Sequence, residues 1–93
     1  MEDKISREKI EKYLKLSKRA LKIVKKKIIR GREKDAKEII EMASNYLSDA
    51  KHFKIKKDFV NAFAAVNYAH GWIDSGARLG IFNVKDDKLF TVR

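Results

Sequence analysis

Residues 58–80 read DFVNAFAAVNYAHGWIDSGARLG, and where this stretch sits decides the architecture. On a helical projection Phe59, Ala62, Phe63, Val66, Ala69, Ile73 and Ala77 share one face, with His70 in the middle of it. The other side carries Asn61, Ala64, Ala65, Tyr68, Trp72 and Leu79, so the segment is apolar or small nearly all round, as in a helix covered on both sides. Asp58 suits an N-cap, because its carboxylate can accept a free first-turn amide, and Gly80 suits the left-handed residue that ends a helix. The expectation is a third helix over residues 58 to 79, sandwiched between neighbours. Gly71 in its middle costs about 1 kcal/mol relative to alanine. A backbone or a large ring is therefore expected close against it.

Upstream, Ala36, Ile39, Ile40, Ala43, Tyr46, Leu47, Ala50 and Phe53 repeat at the helical period and predict helix 2 over residues 35 to 54. Ile10, Leu14, Ser17, Leu21, Val24 and Ile28 alternate spacings of four and three, which predicts helix 1 over residues 6 to 30 with Ser6 as N-cap and Gly31 as its stop. KIKKD makes the second turn. Short links force three helices to run up, down and up, so the expected fold is all-α: an up-and-down three-helix bundle in a single domain, residues 1 to 93.

After Gly80, IFNVKDDKLFTVR holds two β-prone runs around Asp86 and Asp87, which predicts a C-terminal hairpin or extended tail over residues 80 to 93. Tyr68 and Trp72 need a cover that two neighbouring helices cannot supply. The tail, through Ile81, Phe82, Leu89 and Phe90, is the favoured cover, and the same surface of a second copy is the other. Leu16 and Ile23 lie off the main stripe of helix 1 and would be exposed in a lone bundle, which adds to the case for a homodimer.

A chain of 93 residues buries only about 60–65% of the surface its unfolded form exposes, so its core is thin. Cysteine is absent, which excludes disulfides, thiolate metal sites and a cysteine nucleophile. No apolar run reaches the length of a signal peptide or a membrane span, and the expected location is cytoplasmic. The absence of glutamine and proline, with many lysines and isoleucines, is a make-up found in proteins from hot environments.

Charge is uneven. Residues 1 to 34 hold fourteen Lys or Arg against five acids, a net of +9 out of the chain's +10. Lys12, Lys15, Arg19, Lys22 and Lys26 repeat at three and four on the face of helix 1 opposite Leu14 and Leu21. Such a row of cations can bind phosphates by releasing counterions, so a nucleic acid or an acidic protein is the expected partner, against the plain alternative of a solvated face. No aromatic interleaves with these lysines, as a single-strand stacking platform requires. Neither a membrane nor a small molecule is expected as partner.

Asn67, Tyr68, His70, Gly71, Trp72, Asp74 and Arg78 form the second candidate site. His70, Asp74 and Arg78 stand four apart, a ladder in which Asp74 accepts from both neighbours. Packing is the favoured role. The alternative is a histidine and carboxylate pair for proton transfer in a hydrolytic or RNA-processing enzyme. Ser75 is five residues from His70 and faces away from it. Two histidines, His52 and His70, at no ligand spacing predict no metal site, and no cofactor is expected.

YLSDAKHF, DFVNAFAAVNYAHGWIDSGARLGIF and the terminal LFTV resemble, over residues 40 to 92, a small archaeal family known as a domain of unknown function, DUF357. The resemblance implies a compact up-and-down bundle of three helices, archaeal origin and no established activity. YLSDAKHFKIKKDFVNAFAAVNYA is also loosely similar to HEPN and tetratricopeptide-like helical modules. HEPN ribonucleases need an arginine shortly before the catalytic histidine; here Arg78 follows His70, so that activity is not implied.

Overall fold

The computed structural model describes residues 6–85 and residues 89 and 90. Three helices make the fold: α1 (Arg7–Val24), α2 (Glu33–Ile55) and α3 (Phe59–Arg78). Lys54, late in α2, lies 3.8 Å from Glu11, early in α1. Tyr13 and Phe63, early in α1 and α3, meet edge to face at 5.6 Å. So α2 runs against α1, and α3 runs with it, in an all-α three-helix bundle. The interface between α2 and α3 is the most extensive.

Local chemistry sets most of the boundaries. The Ser6 hydroxyl accepts from the Lys9 amide at 3.1 Å and opens α1. Asp58 opens α3 by accepting from the Asn61 amide at 3.3 Å and the Asn61 side-chain amide at 2.7 Å. Both α2 and α3 end in the paired bonds of a Schellman motif: Asp58 N–H donates to the Phe53 carbonyl and Lys57 N–H to Lys54, and Ile81 N–H donates to Gly76 and Gly80 N–H to Ala77. Gly80 supplies the required left-handed backbone at φ 74°, whereas at the end of α2 Lys57 occupies that region at φ 62°.

The end of α1 departs from the sequence expectation. The helix stops at Val24 and not near residue 30, because the chain after it is claimed by the tail. Ile28 forms an antiparallel bridge with Phe82. Ile29 N–H donates to the Ile81 carbonyl at 2.9 Å and Asn83 N–H to the Lys27 carbonyl at 2.7 Å. Ile28 fits the helical period of α1, but its β-branched pair with Ile29 is equally suited to this extended pairing. Gly31 therefore lies in the link and does not terminate the helix; its N–H donates to the Glu33 carboxylate at 3.0 Å.

The apolar stripes meet as their periods require. Ile10, Leu14, Ser17, Leu21 and Val24 of α1, Ala36, Ile39, Ala43, Leu47 and Ala50 of α2, and Ala62, Val66, Ala69 and Ile73 of α3 are buried together with Ile81, Phe82, Leu89 and Phe90. Leu16 and Ile23, expected to be exposed, are half-buried against this core. Residues around Asp86 and Asp87, where a hairpin was expected, lie outside the described residues.

The glycine that carries the close approach is Gly76. A Cβ there would meet the Phe82 ring at 2.5 and 2.8 Å and Ile39 Cδ1 at 3.0 Å, whereas one at Gly71 would meet nothing within 4 Å. The expectation of a ring packed on Gly71 is thus overturned, since the tail crosses α3 one turn nearer its end. Gly76→Ala should lower unfolding stability by about 1–3 kcal/mol, as overpacked cores do. Gly71→Ala should raise it by roughly 1 kcal/mol through helix propensity. Denaturant unfolding of the two variants checks this, and changes of the same sign would refute it.

Candidate functional site

His70 stands where α1, α3 and the tail converge. Ser17 is the one polar residue on the buried stripe of α1, 2% exposed, and its hydroxyl needs a partner. His70 Nδ1 lies 3.1 Å from Ser17 Oγ, and Nε2 lies 3.0 Å from the Leu89 carbonyl oxygen. A carbonyl only accepts, so Nε2 carries the proton, and Nδ1 is left to accept from the serine hydroxyl. In this tautomer both ring nitrogens are engaged. Asp74 Oδ1 is further from Nε2, at 3.6 Å. The expected ladder of His70, Asp74 and Arg78 is thereby changed at its first rung, because the tail carbonyl takes the bond assigned to the carboxylate. Arg78 is exposed on the last turn of α3, and the Ser75 hydroxyl donates to the Gly71 carbonyl at 2.9 Å.

A cleft of about 360 Å³ opens beside this contact, lined by Tyr13, Leu16 and Ser17 of α1, Val66, Asn67, His70, Gly71 and Asp74 of α3, and Leu89. Spacings of three and four put these side chains on facing helix flanks. His70 and Asp74 are half-buried on its wall, with side chains 29% and 26% exposed.

The far flank of α3 is covered only in part, short of the sandwiched helix expected: Ala65 is buried and Trp72 half-buried against the core, while other residues are exposed. Tyr68 is 62%, Val60 67% and Leu79 66% exposed. A hollow there is lined only by α3 residues, Asn67, Tyr68, Gly71, Trp72 and Ser75. Tyr68 meets the Tyr46 ring of α2 at 5.3 Å. Among the described residues of the tail, Ile81 to Asn83 run along Lys27 to Ile29 and not over this flank.

The five expected cations of α1, Lys12, Lys15, Arg19, Lys22 and Lys26, are all exposed. They do not stand alone. A groove of about 540 Å³ between α1 and α2 is lined by Glu8, Glu11, Lys12, Leu14, Lys15, Lys18 and Lys54. A hydrogen bond with Lys51 first, then slight burial, and then repulsion from Lys51 and Lys54 hold the Lys18 amine below its ordinary 10.5. Lys18 thus loses its proton more readily folded than unfolded, so this charged cluster opposes folding at neutral pH and the opposition fades as pH rises toward 10.5. Sequence reading missed Lys18, Lys51 and Lys54; their signal was the pair of basic residues three apart in the last turns of α2. It likewise missed the partner of Ser17, whose signal was a hydroxyl inside an apolar stripe.

His70→Leu should lower unfolding stability by about 2 kcal/mol, because it strands the buried hydroxyl of Ser17 and frees the Leu89 carbonyl. Adding Ser17→Ala to that variant should restore about 1 kcal/mol by removing the stranded group. Thermal unfolding of the single and double variants measures the coupling, and simple additivity of two losses would remove the assigned bond.

No curated protein and no solved structure matches the chain. Among the described residues no helix is long and apolar enough to cross a membrane. Residues 12–82 match the family described as Protein of unknown function (DUF357), and with three quarters of its length and its three helices inside or overlapping that match, the chain belongs to this family.

Proposed function

We propose that this protein is a non-enzymatic interaction module that binds an acidic partner, first of all the phosphate backbone of a nucleic acid, through the basic face of α1. The observation that carries this reading is the exposed row Lys12, Lys15, Arg19, Lys22 and Lys26, widened by Lys18 beside Lys51 and Lys54 of α2. A surface of cations drawn from two helices attracts a polyanion by counterion release and needs no base contacts. The engaged nitrogens of His70 support a binding role over a catalytic one, since a general base needs a lone pair directed at substrate. The cleft beside His70 and Asp74 is what favours the competing reading, a hydrolytic or RNA-processing enzyme using His70, Asp74 and Arg78; RNA turnover that disappears in His70→Asn would establish it.

Anisotropy of a labelled oligonucleotide tests the binding reading. Affinity should fall with salt on a log–log slope of about −3 to −5, the value for roughly four or five neutralised phosphates. Failure to bind at low ionic strength would discard the nucleic acid, and polyglutamate competing as well as the oligonucleotide would assign an acidic protein instead.

The module also has a surface suited to a second copy. From Phe59 to Ile73 α3 carries no formal charge, although 39% of the chain is charged. Val60 and Tyr68 are exposed along it, and Leu79 just beyond the end of α3 is exposed as well. For a chain of net +10 this is the flank on which two copies meet with least repulsion. Sedimentation should detect a dimer in the wild type that Tyr68→Glu dissociates, and a strict monomer at high concentration would discard it.

A further inference from the structure

We propose that the cleft beside His70 is a binding site for a small organic cation, an amine or amidine carried on a compact apolar body. The inference stands apart from the basic face of α1. It also needs no proton transfer at His70, which separates it from an enzymatic use of the same cleft.

Size and lining come first. At about 360 Å³ the cleft lies at the small end of ligand sites, which run from roughly 300 to 1,000 Å³. Leu16 of α1, Val66 of α3 and Leu89 of the tail give it apolar walls from three segments of chain, and Tyr13 adds a ring. Three polar side chains stand among them: the Tyr13 hydroxyl, the Asn67 amide and the Asp74 carboxylate. The His70 and Ser17 pair beside them directs its bonds within the protein. Apolar walls with a few polar groups that fix orientation are the make-up of a small-molecule site.

Charge selects the ligand. With His70 in the neutral tautomer that its two bonds define, Asp74 alone carries a formal charge among the described residues that line the cleft. An anion there would face a half-buried carboxylate, whereas an ammonium or amidinium meets a charge-assisted acceptor. Asp74 Oδ1 already lies 3.6 Å from His70 Nε2, but a carboxylate offers about four acceptor positions on its two oxygens and serves several donors at once. The chain's net charge of +10 opposes a cation from afar. At 0.15 M salt the screening length is about 8 Å, so a carboxylate in contact with the ligand outweighs exposed lysines beyond that distance.

Gly71 supports the assignment independently of charge. A Cβ there would meet nothing within 4 Å, and the residue lines both this cleft and the hollow of Tyr68 and Trp72. In the middle of α3 it costs about 1 kcal/mol relative to alanine. The missing side chain keeps the space between the two hollows clear, so stability is given up where a ligand needs room.

Two variants of the full chain test the site: Asp74→Asn, which removes the charge and keeps the shape, and Gly71→Leu, which puts a side chain into the open space. Circular dichroism melting checks that both fold, and Gly71→Leu should melt no lower than the wild type, since leucine is the better helix former. The probes are benzamidine and phenethylamine, with benzamide and benzoate as uncharged and anionic counterparts, each followed by backbone amide shifts in NMR. The two cations should give saturable shifts clustered at residues 13, 16, 66, 67, 71 and 74, and benzamide should bind at least tenfold more weakly. Asp74→Asn should weaken benzamidine at least tenfold, and Gly71→Leu should abolish its shifts. Uniform or unsaturated shifts with both cations, cleft shifts from benzoate equal to theirs, or benzamidine binding that either variant leaves unchanged overturns the site. Oligonucleotide affinity is no part of this readout, so the failure of one proposal leaves the other standing.

Discussion

The Phe82 ring packs against α3 at Gly76, where any larger residue would put a Cβ 2.5 Å from it, and most of the molecule's departures from a plain bundle follow from that approach. With the ring seated there and Gly80 turning the chain, Ile81 to Asn83 are delivered to the link after α1. Ile28 then pairs as an extended residue, and α1 is cut to eighteen residues. The tail contributes Ile81, Phe82, Leu89 and Phe90 to the core, a large share for a chain too short to bury much with three helices alone. The same turn carries Ile81 to Asn83 away from Tyr68, which stays exposed.

The unusual residues of α3 consequently divide by environment and not by type. Gly76 exists for a neighbour; Gly71, five residues before it, has open space where a side chain would be, so no contact among the described residues accounts for it. His70 faces the seam with α1 and ties Ser17 to the tail carbonyl of Leu89. Its two bonds join three separate segments of chain, which makes it a clasp, and they also fix its tautomer. Trp72, two residues on, belongs to the other flank. A run of residues that looks like one site in the sequence is spread over a packing seam, a clasp and a partly exposed flank.

Electrostatics tell a similar story. The basic charge of α1 is visible in a count, and its solvent exposure follows from the apolar stripe opposite. The crowding of Lys18 with Lys51 and Lys54 depends instead on α2 running antiparallel beside it, with Glu11 the carboxylate that answers Lys54. Like charges held together at a helix seam do nothing for folding.

Periodicity, capping residues and charge spacing are local properties, and they determined on their own that the chain forms three helices, that Ser6 and Asp58 open two of them, that Gly80 ends the third, and that α1 carries a row of exposed cations. A helical period records which residues are apolar, however, and not what they touch. Ile28 fits α1 and is nonetheless given to the tail, since its partner lies 54 residues away; Ser17 signals that a hydroxyl needs a bond without saying that His70 supplies it; Gly71 and Gly76 carry the same propensity penalty with opposite surroundings. Only the tertiary structure could decide those, because each depends on which segment is brought against it: the tail against Ile28 and Gly76, and α3 against Ser17.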